Sequence, residues 1–111
     1  MNSEVTEYIK KYPDGIVFLF EKLRSLVTES AAEAPEEKLW AKLPSYYVGE
    51  SFVRLIPFKD HINIEAAAML RHADELSGYK LTPKGMLQLR LSDELPEDVL
   101  RRVFAETLGR Q

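Results

Sequence analysis

The chain contains no cysteine. That absence excludes disulfides, thiolate metal sites, cysteine nucleophiles and iron–sulfur ligation by this chain alone. Histidine is scarce as well: His61 and His72 are the only two, and they do not stand at metal-ligand spacing. No apolar run approaches the roughly 18 residues that a membrane helix needs, and Met1-Asn2-Ser3-Glu4 has neither the basic start nor the apolar run of a signal peptide. A soluble, cytoplasmic protein is the expectation that follows. A basic stripe is also missing. Fifteen Lys and Arg stand against 18 Asp and Glu, a net charge of -3, and the cations are scattered as Lys10-Lys11, Lys22/Arg24 and Arg101-Arg102. That balance argues against a nucleic-acid partner held by phosphate neutralisation. Catalytic patterns are absent too: Ser25, Ser45, Ser51 and Ser77 have no elbow or base nearby in sequence, and Gly78-Tyr79-Lys80 is not a phosphate loop. Nothing in the pattern recommends an enzyme.

What is present is enough for one core. A chain of 111 residues, 45% of them hydrophobic, is expected to form one domain over residues 1–111. Val5, Tyr8, Ile9 and Tyr12 predict a short helix over 3–12, with Ser3 as its N-cap and Pro13-Asp14-Gly15 as its end. Ile16, Leu19, Phe20, Leu23, Leu26 and Val27 recur at helical spacing and predict the longest helix, to about Ala32. From Ala34-Pro35 to Leu91, strand patterns predominate: 38–43, 46–48, a hairpin, and 86–91, where Leu87, Leu89 and Leu91 alternate with Gln88 and Arg90. Met69, Leu70, Ala73 and Leu76 predict a helix over 66–76 with Gly78 as its C-cap, and a last helix runs from near Pro96 to Gly109.

The hairpin carries the most information. Phe52 to Pro57 and His61 to Glu65 flank the polar pair Lys59-Asp60. A two-residue loop there sets Phe58 opposite His61, Ile56 opposite Asn63 and Arg54 opposite Glu65, and leaves Val53, Leu55, Ile62 and Ile64 on the core face. The whole pattern reads as α+β: a two-layer sandwich of an antiparallel sheet with helices on one face.

Several segments resemble one known family, the YdhG-like domains, which are small bacterial proteins of unknown function in the YjbR/CyaY-like superfamily. They are Glu7-Tyr8-Ile9, Phe20-Glu21-Lys22-Leu23-Arg24-Ser25-Leu26, Phe58-Lys59-Asp60-His61-Ile62, Leu76-Ser77-Gly78-Tyr79-Lys80, Gly85-Met86-Leu87-Gln88-Leu89 and Glu94-Leu95-Pro96-Glu97-Asp98-Val99-Leu100. Their order and spacing span nearly the whole chain. The resemblance implies a frataxin-like α/β sandwich. Leu43-Pro44-Ser45-Tyr46-Tyr47 departs from the family, whose members usually carry a glycine-containing loop and a Met-Pro-Ala-Phe-like segment there. A ligand site shaped by that loop is altered here.

Candidate site residues fall into two sets. His61 shares a predicted face with Phe58, and an imidazole beside aromatics can bind a ligand, titrate near neutrality or fix the turn through Asp60; the turn-fixing role carries the greater weight. Trp40, Tyr46, Tyr47 and Tyr79 join them as ligand-binding candidates, or as a second small core. Phe52, Ile56 and Phe58 lie on the sheet face away from the helices and need a cover: a segment of the same chain, or else a ligand or a second copy, with a homodimer favoured among these others. No cofactor is expected under this reading. The second set is Glu29, Glu33, Glu36 and Glu37, of which Glu29 and Glu33 share a helix face. Frataxin-like proteins present acidic residues on a first helix and adjoining strand, so the resemblance implies weak iron binding and iron–sulfur assembly partners as an alternative; carboxylates can hold iron without cysteine. The plainer reading of these glutamates is a solvated helix end. Other superfamily branches are described as DNA-binding, which the charge balance disfavours.

Overall fold

The structure, a computed structural model, describes residues 2–109. Three α-helices, α1 (Ser3–Ile9), α2 (Asp14–Ser30) and α3 (Glu97–Leu108), accompany six strands. These are β1 (Glu36–Trp40), β2 (Leu43–Val48), β3 (Ser51–Pro57), β4 (His61–Ala66), β5 (Lys80–Leu81) and β6 (Leu87–Arg90). The strands form one sheet in the order β1-β2-β3-β4-β6-β5, and every neighbouring pair is antiparallel. This is the α+β architecture the pattern predicts, a sheet with its helices on one face.

The hairpin forms in the expected register. Arg54 pairs with Glu65 and Ile56 with Asn63, and the Phe58 amide donates to the His61 carbonyl at 2.8 Å. Val53, Leu55, Ile62 and Ile64 are fully buried beneath the helices, with Tyr46, Leu87 and Leu89 on the same side of the sheet. Ile16, Phe20, Leu23 and Val27 of α2, and Leu100, Val103, Phe104 and Leu108 of α3, close the core from above. Each such side chain stabilises the fold by about 1.5–3 kcal/mol relative to exposure.

Five expectations are corrected. The N-cap of α1 is Asn2, not Ser3: its Oδ1 accepts from the amides of Glu4 and Val5 at 2.8 and 3.1 Å, and the helix ends at Ile9. The single strand over 38–43 is two strands, because Ala41 and Lys42 both take positive φ, 51° and 66°, and make a tight turn without the usual Asn-Gly signal. The predicted 66–76 helix is absent. There β4 runs on to Ala66, a 3₁₀ turn spans Met69–His72, and bonds such as Arg71 N to Ala68 O and Ala73 N to Leu70 O link residues three apart. The Ala68 amide donates instead to Thr107 Oγ1 of α3 at 3.1 Å, so tertiary anchoring overrides local helix preference, and Leu70 projects outward while Met69 and Leu76 are buried. Pro96 precedes α3 instead of opening its first turn. The last long strand stops at Arg90, so Leu91 is exposed.

One residue inside the α2 stripe is not apolar. Arg24 is 2% exposed among Phe20, Leu23 and Val27. Its guanidinium grips Glu37 of β1 with both arms, Nε to Oε2 at 2.7 Å and Nη2 to Oε1 at 2.9 Å. Tyr46 Oη donates to Glu37 Oε2 and the Asn2 amide to Oε1, each at 2.7 Å, while Arg24 also reaches Thr6 Oγ1 and the Asn2 carbonyl at 3.1 Å. Asn2 Nδ2 bonds the Glu37 carbonyl at 3.0 Å, on the edge strand. The cluster fastens α1, α2, β1 and β2 to one another. Burial pushes the Glu37 carboxyl up, but the hydrogen bonds from Arg24, Asn2 and Tyr46 outweigh it and hold the group below the usual carboxylate range. Burial and the bond to Glu37 push the Tyr46 hydroxyl far up, so it remains a donor.

Candidate functional site

The face of the sheet away from the helices carries a second arginine. Strand alternation brings Ser45, Arg54 and Glu65 into one row across β2, β3 and β4. Arg54 is only 6% exposed although no helix covers it. Its Nε donates to Ser45 Oγ at 2.9 Å, Nη2 to Tyr47 Oη at 2.8 Å and Nη1 to Glu65 Oε1 at 3.3 Å. Trp40 and Phe52 lie against the guanidinium, their ring centres 4.2 and 4.0 Å from its carbon. Part of the cover for this face is therefore the chain's own aromatic side chains, drawn over a cation whose three nitrogens are each hydrogen-bonded.

The next row is only partly covered. Trp40 is paired with Leu43, and Ile56 with Asn63, followed by Phe58 and His61 at the hairpin end. Trp40 and Phe58 are 50% and 43% exposed. The Phe58 and His61 rings stack, 4.4 Å apart and inclined by 13°, and His61 Nδ1 lies 2.7 Å from Asp60 Oδ1. That contact draws the Asp60 carboxyl below its ordinary value. Beside this stack a shallow cleft of about 860 Å³ opens between the hairpin end and α1, lined by Tyr8, Tyr12, Leu43, Ile56, Phe58 and His61 among others. The Tyr8 and Tyr12 hydroxyls are 3.1 Å apart. His61 thus has the turn-fixing contact and also borders an open apolar recess.

The ligand-binding candidates do not form one site. Phe58 and His61 line the cleft, Trp40 stands beside it, and Tyr47 belongs to the Arg54 cluster. Tyr46 faces the other way, into the core and onto Glu37. Tyr79 precedes β5 at the opposite edge, where its hydroxyl donates to the Glu94 carbonyl. The glutamates diverge as well. Glu29 pairs with Arg101 at 3.2 Å, Glu33 is exposed, Glu36 approaches Lys38 at 3.6 Å on the outer sheet face, and Glu37 is held inside by Arg24. Among the described residues no three His, Asp or Glu side chains converge as a metal cradle.

His72 is wedged between carboxylates. Its side chain is 11% exposed, with Nδ1 2.7 Å from Glu75 Oε1 and Nε2 3.0 Å from Glu106 Oε1 of α3. Arg71 reaches the same Glu106 oxygen and Arg102 reaches Glu75. The bonds to Glu75, then Glu106, raise the imidazole pKa. Because the folded value lies above the unfolded one, near 6.5, this contribution to stability is complete below about pH 6.5 and fades as pH rises through the folded value. Urea unfolding across that range, compared with His72→Gln, is expected to show a slope present only in the parent chain; equal slopes would remove the assignment.

The two buried arginines and the His72 clasp escape a sequence reading because they depend on partners on other elements, up to 34 positions away, or on loop geometry. Arg54 alone left a trace, in its pairing with Glu65. No family model matches the chain, and no curated protein or solved structure matches it.

Proposed function

We propose that this chain is a non-enzymatic binding domain, of the YdhG-like kind its sequence resembles, that engages a partner through the open face of its sheet. The observation that carries the reading is the strip in which exposed Trp40 and Phe58 flank half-buried Leu43, Ile56 and His61, ending in an apolar cleft. Trp40, which lies against Arg54 on one side, and Phe58 at the hairpin end remain about half-exposed, and large aromatics so exposed are placed for contact with another molecule. The helix-flanked antiparallel sheet supports the family resemblance. A second copy is the simplest occupant to look for.

The reading separates surface from scaffold. Phe58→Ser is expected to change stability by less than about 1 kcal/mol, because surface positions away from special features contribute little. Light scattering and emission from Trp40, the single tryptophan, would report self-association as concentration rises. A mass that grows toward a dimer, with blue-shifted emission lost in Phe58→Ser, would identify a second copy on this face; a chain that stays monomeric leaves the face to a different partner. A loss above about 2 kcal/mol in Phe58→Ser, the size of a packed core truncation, would sink the reading.

A further inference from the structure

The connection between β4 and β5 is pinned at two points. Met69 and Leu76 are fully buried, while Leu70, Arg71, Asp74 and Glu75 between them are exposed. The backbone bonds of the stretch are short-range ones: Ala73 N to Leu70 O at 3.3 Å, Leu76 N to His72 O at 3.1 Å and Ser77 N to Asp74 O at 3.3 Å. A segment with few buried side chains and exposed local bonds opens at a lower free energy than the core does. Between its two anchors, charge ties this one to α3. His72 Nε2 meets Glu106 at 3.0 Å, Arg71 meets the same carboxylate at 3.5 Å, and Arg102 meets Glu75 at 2.7 Å.

The histidine contacts require the charged ring. Nδ1 faces Glu75 at 2.7 Å and Nε2 faces Glu106 at 3.0 Å, and only an imidazolium carries a proton on both nitrogens. A neutral ring has one N–H, and the shorter contact, to Glu75 within the same segment, keeps it. Nε2 then turns a lone pair on Glu106, so the link that is lost is the one that crosses to α3. Around the ring stand Glu75 and Arg71 from its own segment and Glu106 and Arg102 from α3; the bonds to the two carboxylates dominate and favour the charged form. The same stretch is also a wall. Leu70, with Phe52, Glu65, Ala67, Lys84 and Thr107, lines a cavity of about 430 Å³ at this end of the sheet. Leu70 lies against Gly85 in the β5–β6 turn, where an added Cβ would stand 3.1 Å from Leu70 Cδ1.

We propose that residues 70–75 form a flap beside this cavity, closed onto α3 while His72 is charged and loosened when it is neutral. The Arg102–Glu75 bridge survives the change, so the flap is loosened and not freed. Closure is complete below about pH 6.5 and weakens as pH rises through the folded-state value of His72, which lies above the unfolded one.

Amide hydrogen exchange, with the intrinsic rate divided out at each pH, tests this alongside an NMR titration of the imidazole. The amides of Ala73, Leu76 and Ser77 are expected to be less protected than those of Leu55 and Ile64 in the sheet, and to respond weakly to low urea, as a local opening does. Their protection should fall by about threefold or more as pH rises, the size of a partly exposed ion pair, with the midpoint of His72 itself. The Gly85 resonance, on a separate element, should move with that midpoint because Leu70 leans on it. In His72→Gln both pH steps should vanish, and in His61→Gln both should remain. Arg102→Gln, which removes the other link to α3, should lower protection at every pH and keep the step. The flap is ruled out if the three amides are as protected as the sheet core and fall as steeply with urea, since the stretch then opens only with the whole fold. A parent chain without the pH step, a step that persists in His72→Gln, or a Gly85 resonance that ignores the His72 midpoint would each overturn the proposal as well.

Discussion

Glu37→Ala is expected to destabilise the protein by about 3–5 kcal/mol, the range for removing one member of a buried ion pair. The substitution leaves the Arg24 guanidinium, 2% exposed, with two of its five hydrogen bonds gone and its charge unbalanced, since Glu21 is a partner at 3.2 Å and lies partly in solvent. It also orphans the Tyr46 hydroxyl and the Asn2 amide. Against a typical total of about 5–15 kcal/mol, this is enough to unfold a marginal domain. Urea unfolding near neutral pH measures it. Glu37→Gln should cost less, since an amide oxygen still accepts from Arg24. The double replacement Arg24→Met with Glu37→Leu should cost less than Glu37→Ala alone, because no uncompensated charge is left in the interior. A change below about 1 kcal/mol in Glu37→Ala would refute the account. Acid gives the same result without mutation: the Glu37 carboxyl is held low in the fold, so its contribution is present above the unfolded value near 4.3 and disappears as pH falls through the folded one. There is a practical corollary for the iron alternative. Neutralising Glu37 would disturb the scaffold whether or not iron binds, so titrations should compare the parent chain with variants at Glu29, Glu33 and Glu36.

The second large effect is expected at Arg54. Arg54→Ala should cost about 2–4 kcal/mol, combining charged hydrogen bonds worth about 1.5–3 kcal/mol with contacts to two ring faces. Arg54→Lys should recover only part of this, because an ammonium cannot reach Ser45, Tyr47 and Glu65 together while lying flat between Trp40 and Phe52. Trp40 reports the change directly: without the guanidinium beneath it, its emission is expected to move to the red. Loss of less than about 1 kcal/mol with unchanged emission would mean that the stack is decoration.

Much of the fold could be read from alternation and spacing. The hairpin register followed from Lys59-Asp60 and the charge pair, and α2 and α3 followed from apolar residues at helical intervals. The failures have separate physical causes. Ala41 and Lys42 adopt backbone conformations that nothing in their residue types announces. Met69 to Leu76 has helical spacing, yet the Ala68 amide just ahead of it bonds to Thr107 and most of the segment's own backbone bonds link residues three apart, a choice made by docking onto α3. The candidate site was legible only at its hairpin end. Phe58 and His61 were recognisable as neighbours across a turn, whereas Tyr8 of α1 and Tyr12 just beyond its end, which build the other wall of the cleft, arrive from some 50 positions earlier, and no local pattern couples them.

Asn2 does more than begin a helix. β1 is an outer strand, and an outer strand offers unpaired amides and carbonyls that another molecule's strand can extend. The bond from Asn2 Nδ2 to the Glu37 carbonyl occupies such a position near the start of the strand. The same side chain that organises α1 therefore also guards the sheet against polymerising edge to edge. A fusion or affinity handle placed ahead of it, if it drew Asn2 away, would be felt as a tendency to aggregate before it was felt as a loss of fold.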